Sequence, residues 1–511
     1  MPRLPLLTWI GNAAAALLGR HGDVPQQAHQ VGCSRQTVYQ HADKVTQALA
    51  AAQLPGPSRV ELLQENRRLK EQVAQLQRRL DESIVLDQDK RQRLTATTSA
   101  MGLSLNQIRV VFAILLGKSK VPSRAALGRW LQAHARRAGQ VLGVLDRHTQ
   151  PAVRDLCPDE IFFGGKPVLV GVEPHSLAVL LCRRAADRRG TTWHQALVPF
   201  ASLEYAACDQ GKGLLAGLKA LAQARPDGTP RLEVGLDVFH TEREARTVLA
   251  RDWRQLEACW EQAEQADRAL AAAKDRRGKA ARAQAAWRRV ARWWSLYEQR
   301  EAAWGRAKAA LAIFRPDGLL NDRAWAEQEI AGACRGLPGP RWRKVRGMLG
   351  DSRALTFLDR LQRRLAVAEP RAPLRQALVR LWRLERGPRT GAGVAAGVVQ
   401  RVVCAKLAAD WQESYTRVAA VLGTVVRASS AVECVNSILR MQQARHRSLG
   451  QAMLDLKRLY WNCRAFGSGK RRGKCPYQLL GVQLPTYDFW ELLQRDLIQL
   501  EQELSTPRVA A

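Results

Sequence analysis

The chain has 511 residues, with 80 Lys and Arg against 47 Asp and Glu and a formal net charge of +33. This length is too great for one ordinary core, so several domains are expected. The cation excess favours a polyanionic partner, with nucleic acid the first candidate and a membrane surface a distant second. No apolar run reaches spanning length, so no membrane partner is expected. The ten cysteines include no CxxC pair and no cluster with zinc spacing, and they read as buried small hydrophobes in a reducing, cytoplasmic setting.

The run from Leu4 to Leu18, interrupted by Pro5, Gly11 and Asn12, reads as folded sequence and not as a signal. Residues 1–54 read as a helix-turn-helix domain. Ala28, turn residue Gly32 and the helix start at Ser34 set the spacing, which presents Arg35, Gln36, Thr37 and Gln40 to a major groove. After Pro55-Gly56-Pro57, residues 58–86 carry heptads with Leu62, Leu69 and Leu76 at d and Asn66, Val73 and Leu80 at a. Asn at one a position with Leu at each d is the pattern of a parallel two-stranded zipper, so a homodimer or higher homo-oligomer is expected. The alternative is a helix packed on its own domain. Residues 95–150 form a second helical domain, for DNA binding or as a linker, with a helix start at Pro122-Ser123 and a basic surface of Arg124, Arg129, Arg136 and Arg137.

Within 151–245 the run DEIFFGGKPVLVGVEPHSLAVLLCRR reads as three short strands turning at Gly164-Gly165-Lys166 and Pro174-His175-Ser176. Tyr205 to Ala224 reads as a helix, and RLEVGLDVFH as a fourth strand ending at Asp237. That order implies a mixed sheet with helices against it. Residues 246–400 read as an all-helical insertion broken at Arg315-Pro316-Asp317-Gly318, at Leu337 to Pro340 and at Pro370 to Pro373. Nine of the fifteen tryptophans lie between Trp253 and Trp382, and pairs seven apart, such as Trp253 with Trp260 and Trp287 with Trp294, suit core packing; stacking on an unpaired base is the sharper alternative. Gly387 to Gly397 reads as a glycine-rich link without the ending of a phosphate loop.

In 401–482, ASSAVECVNSILR puts Val432, Val435 and Leu439 on one side of a helix, with Glu433, Asn436, Ser437 and Arg440 on another. A further helix has Leu454, Leu456 and Leu459 partly buried. The loop of Lys470, Arg471, Arg472 and Lys474 reads as a phosphate contact, with a solvated surface loop as the alternative. Residues 483–511 carry a last amphipathic helix, Tyr487 to Leu504.

Asp159 at the start of the first strand, Asp237 at the end of the fourth and Glu433 on a helix would repel one another if brought together without a divalent cation. Hard oxygen ligands suit Mg²⁺ or Mn²⁺, and two such ions about 4 Å apart support phosphoryl transfer. At DEIFFGGKPVLVGVEPHSL, LDVFHTERE, SSAVECVNSILR, HRSLG and KCPYQLLG the chain resembles the DDE transposases of bacterial insertion sequences, over roughly Asp159 to Leu480. The resemblance implies an α/β RNase H-like core with a mixed sheet and a large all-α insertion, alongside the N-terminal helical DNA-binding units and the coiled coil. It implies a first acid on strand one, a second just after strand four and a glutamate on a later helix, followed at one-turn intervals by Asn436 and Arg440. His240 matches the D-x-F-H form. Glu160, Asp155 and Glu173 compete with Asp159 for the first place. The implied activity is cleavage and strand transfer of double-stranded DNA at the ends of a mobile element and in its target, with two Mg²⁺ or Mn²⁺ ions at Asp159, Asp237 and Glu433. The rival expectations are a nuclease of the same fold without strand transfer and a DNA-binding protein without catalysis.

Overall fold

The structure, a computed structural model, describes residues 4–52, 58–81, 86–387, 390–443 and 449–505. The Pro55-Gly56-Pro57 breaker and the His446-Arg447-Ser448 part of the HRSLG motif lie outside the described residues. The chain forms two compact units, Met1–Asp87 and Gln88–Ala511.

The first unit holds three short helices, Leu6–Leu17, Asp23–Val31 and Arg35–Ala52, packed on small residues at Ala13, Ala28, Val38 and Ala42. Gly32 ends the second helix with φ 65°, a left-handed turn that favours glycine. Ser34 Oγ then accepts the Thr37 amide at 3.1 Å and starts the third. A polar knot closes the core: Asn12 Nδ2 lies 3.0 Å from His41 Nδ1, and Gln27 donates to Asn12 Oδ1 at 3.1 Å. The helix Arg59–Asp81 follows, and every residue from Arg59 to Arg78 is exposed, including Leu62, Asn66, Leu69, Val73 and Leu76. Leu80 belongs to this helix, but its side chain is outside the described residues.

In the second unit a five-stranded mixed sheet comprises β1 (Asp155–Phe163), β2 (Lys166–Val172), β3 (Val179–Arg184), β4 (Tyr205–Cys208) and β5 (Glu233–Leu236), in the order β3-β2-β1-β4-β5. β1, β2 and β3 are antiparallel neighbours, while β1/β4 and β4/β5 run parallel. The hairpin from β1 to β2 turns on Gly164 and Gly165, both at positive φ. Side chains alternate between two faces. Leu156, Leu169, Leu181 and Ala206 bury against Trp193, Leu197, Leu214 and Leu218 of helices Gly190–Leu197 and Lys212–Gln223. Cys157, Ile161, Val168, Val170 and Ala207 face the other way, onto Val432, Val435 and Leu439 of the helix Ser430–Gln443. Burying those three side chains contributes about 2 kcal/mol each and fixes which side of this helix meets the sheet.

The Tyr205 to Ala224 stretch corrects the expectation of one helix. Tyr205 to Cys208 is a fully buried strand, and only Lys212–Gln223 is helical. The Ala-Ala pair carries helix propensity, but parallel pairing between β1 and β5 overrides it. The helical region begins at Val238, directly after Asp237, and runs through Val238–Ala271, Arg277–Ala310, Arg323–Arg335, Arg343–Leu349, Thr356–Ala368, Ala372–Arg386, Gly391–Leu407 and Trp411–Gly423. The expected link from Gly387 to Gly397 is therefore helical from Gly391, its start capped by the Thr390 hydroxyl. Trp253, Trp260, Trp287 and Trp294 pack on one another across the first two of these helices yet stay 36–41% exposed, so they form a surface seam and not a buried core. Their indole N–H groups at Trp253, Trp260 and Trp287 donate to Glu257, Glu264 and Asp267, whose charge disfavours a nucleic-acid strand there.

Helices Gln88–Met101 and Arg124–Thr149 share a core with the C-terminal part, where Ala138 and Leu142 meet Leu456, Leu459, Tyr477 and Trp490. Leu454, Leu456 and Leu459 are fully buried rather than partly so. The expected last helix is two, Phe489–Gln494 and Leu497–Ser505, broken at Arg495. No single helix among the described residues is long and apolar enough to cross a membrane. Seven of the ten cysteines are buried; Cys33 and Cys334 are partly so, and Cys434 is exposed.

Candidate active site

Odd-numbered positions of β1 point toward the helix Ser430–Gln443, so Asp159, between Cys157 and Ile161, faces it as well. Asn436 Nδ2 donates to Asp159 Oδ2 at 2.6 Å, and the Glu160 amide donates to Asp159 Oδ1 at 2.8 Å. Glu160 points to the opposite face, where Arg188 pairs with it at 3.0 Å. Asp155 is held by His175 at 3.0 Å and by Arg360 at 2.6 Å, and Glu173 accepts the amides of His175 and Ser176. Of the four candidates for the first acid, Asp159 is the one bonded to the helix that bears Glu433.

Asp237 follows β5 and caps the helix Val238–Ala271 through the Phe239 amide at 2.7 Å. Its other oxygen accepts from His240 Nδ1 and from Ser429 Oγ. His240 Nε2 in turn lies 3.3 Å from Glu433 Oε1, with Arg243 at 3.7 Å from the same oxygen and Arg440 Nη1 at 3.3 Å from Glu433 Oε2. Asp159, Asp237, Glu433, Asn436 and Arg440, scattered along the sequence, are thus brought together by β1, the helix Ser430–Gln443 and His240.

A fourth carboxylate, missed in the sequence, joins them. Parallel pairing sets Asp155 opposite Tyr205 and Leu156 opposite Ala206. Counting on along both strands brings Asp159 level with Asp209, which follows the end of β4 as Asp237 follows the end of β5. Asp209 Oδ1 accepts the Gly211 amide at 2.8 Å in the turn into the next helix. The signal was the Asp209-Gln210-Gly211 turn after the apolar YAAC run, which the helix reading absorbed.

Electrostatics bind the set together. Burial, then the charges of Asp209 and Glu433, push the Asp159 carboxyl up to about 7. Burial would also raise Asp237, but hydrogen bonds from His240 and Ser429 outweigh it and hold that carboxyl below its ordinary value. The hydrogen bond from His240 lowers Glu433. Burial disfavours the imidazolium of His240, yet the bonds to Asp237 and Glu433 raise it to about 10, so the ring is a cation between two carboxylates.

Hard oxygen donors, a destabilised Asp159 and the buried, unpartnered Oδ1 of Asn436 beside it suit a divalent cation in their chemistry. The donors are not closed into a ligand cage: among the described residues no group of three or more His, Cys, Asp or Glu is disposed to hold a metal ion. His240 stands between Asp237 and Glu433 instead.

Arg35, Gln36 and Gln40 are exposed on the third helix of the first unit, whereas the Thr37 hydroxyl is engaged by Ser34 at 2.8 Å. Tyr39, 54% exposed, adds an aromatic to that surface. In the second unit the loop of Lys470, Arg471, Arg472 and Lys474 lies against the turn after β2, with Arg471 donating to the carbonyls of His175 and Pro174 at 3.0 and 3.3 Å. No family profile, curated protein or solved structure matches the chain.

Proposed function

We propose that the protein is a DDE-type transposase with an RNase H-like core, cutting and joining DNA strands at the ends of a mobile element. The observation that carries this reading is the coupling of Asp159 to Asp209 and Glu433, three acids delivered by β1, the end of β4 and a later helix. The family pattern asks for a second acid after the fourth strand. With Tyr205–Cys208 as that strand, the pattern falls on Asp209 and leaves Asp237 as the anchor of His240.

In this reading Asp159, Asp209 and Glu433 hold two Mg²⁺ or Mn²⁺ ions. Such ions activate water or a 3′-hydroxyl and stabilise the leaving oxygen. Asn436 orients the Asp159 carboxylate, and Arg440 does the same for Glu433. Asp237 and Ser429 fix the imidazolium of His240, which balances the carboxylate charge. Arg35, Gln36 and Gln40 read DNA, Lys470 to Lys474 contact phosphates, and the exposed leucines of Arg59–Asp81 join two protomers.

The test supplies duplexes carrying the element's own ends with Mg²⁺. Strand cleavage, and joining of a pre-cut 3′-hydroxyl end to a second duplex, support the proposal. Cleavage without joining favours the nuclease, and neither reaction favours a DNA-binding protein alone.

A further inference from the structure

An open cleft of about 630 Å³ is lined by the segment Gly423 to Ala428 together with Ser430, Ala431 and Cys434. Ser429 turns its hydroxyl to Asp237, while the adjoining Ala428 and Ser430 line the cleft, so the cleft and the carboxylates are one residue apart along the chain. The cleft brings together Arg427, Lys470 and Arg471 with His175. None of the three cations is paired with a carboxylate among the described residues. Two are fixed by backbone carbonyls: Arg427 donates to Leu311 O at 3.1 Å, and Arg471 to His175 O and Pro174 O. His175 is itself aimed by the buried Asp155, 3.0 Å from its Nε2.

Anchored guanidiniums and a free ammonium, unneutralised around one opening, have the donor chemistry for phosphate oxygens. A volume within the range of about 300–1,000 Å³ typical of small-ligand sites is room enough for the sugar-phosphate of one strand. We propose that this cleft binds the phosphodiester backbone of a single nucleic-acid strand leading to or from the adjoining carboxylates. This rests on the nucleic-acid reading above but not on catalysis.

Cys434, exposed and lining the cleft one residue beyond Glu433, supplies the probe. A single-stranded oligonucleotide is bound in EDTA, where no cleavage occurs. Alkylation of Cys434 is followed by peptide mass and affinity by anisotropy against salt. The expected result is several-fold protection of Cys434, and a log–log salt slope that falls by about 0.7 for Lys470→Gln and by twice that for Lys470→Gln with Arg427→Gln, one increment per lost phosphate contact. Because Arg427 also braces Leu311, Lys470→Gln alone keeps the test valid should the double variant unfold. Protection by inorganic phosphate equal to that by the oligonucleotide, or unchanged protection and slope in Lys470→Gln, overturns the strand proposal. Cleavage activity on duplex ends is scored separately, so loss of the enzyme reading leaves this result standing, and the converse holds too.

Discussion

His240 Nε2 lies 3.3 Å from Glu433 Oε1 while its Nδ1 is bonded to Asp237, so a single imidazolium ties the end of β5 to the helix that carries the glutamate. Its value of about 10 stands above the ordinary 6.5. A raised group contributes stability that is complete below its unfolded value and is lost as pH rises through the folded one. His240→Gln should therefore destabilise the metal-free protein by about 3 kcal/mol at pH 6 to 7, the usual cost of breaking a buried pair. The gap to wild type should close as pH approaches 10. Urea unfolding across that range is the check, and a gap independent of pH would contradict the ion triplet.

Asp159 works in the opposite sense. Burial and the neighbouring Asp209 and Glu433 raise its carboxyl to about 7, so the metal-free protein should lose stability as pH climbs from about 4 to 7. Asp159→Asn keeps an oxygen to accept from Asn436 and removes the charge. It should melt higher than wild type at pH 8 and equal to it near pH 4, while abolishing metal-dependent cleavage. A variant less stable at pH 8 would show that the carboxylate is not under strain.

Much of this pocket was legible in the sequence because helical and strand periodicities carry direction. The 3.6-residue stripe placed Glu433, Asn436 and Arg440 together, and the alternation along β1 separates Asp159 from Glu160 once the buried face is known. What the sequence hid was β4. Four residues, Tyr205 to Cys208, hold too little pattern to distinguish a strand from a helix start, and their character comes from partners fifty and twenty-eight residues away, Asp155 opposite Tyr205 and Glu233 on its other side. Losing that strand moved the count of strands by one and left Asp209, at its end, out of the acids considered. The tryptophans misled in a different way: seven-residue spacing set them on one face, but periodicity does not say whether that face is covered.

The two aspartates at the ends of the parallel strands should separate on mutation. Asp209→Asn has few structural contacts to lose, chiefly the Gly211 amide that an asparagine oxygen can still accept, and should reduce Mg²⁺-dependent cleavage by 100-fold or more with little change in melting temperature. Asp237 is buried and holds His240, Ser429 and the Phe239 amide, so Asp237→Asn should lower the melting temperature as well as activity. Parallel activity and melting assays decide; full activity in Asp209→Asn would return the second role to Asp237.

The exposed helix Arg59–Asp81 leaves Leu62, Leu69, Val73 and Leu76 at 49–62% exposure, a stripe that none of the described residues of its own unit covers. Paired with a second copy in parallel, those residues close the heptad seam. Leu69→Ala with Leu76→Ala should shift the protein from dimer to monomer in sedimentation equilibrium without changing the far-ultraviolet spectrum of the core. A dimer of unchanged affinity would place the protomer contact elsewhere.

Calorimetric titration of Mn²⁺ into the protein at pH 8, where Asp159 is ionised, bears most directly on the shared acid pocket. Wild type should bind, and Asp159→Asn, Asp209→Asn and Glu433→Gln should each weaken binding at least tenfold, whereas Glu160→Gln, on the other face of the sheet, should not. Absence of binding in wild type, or equal binding in all three variants, would contradict the account.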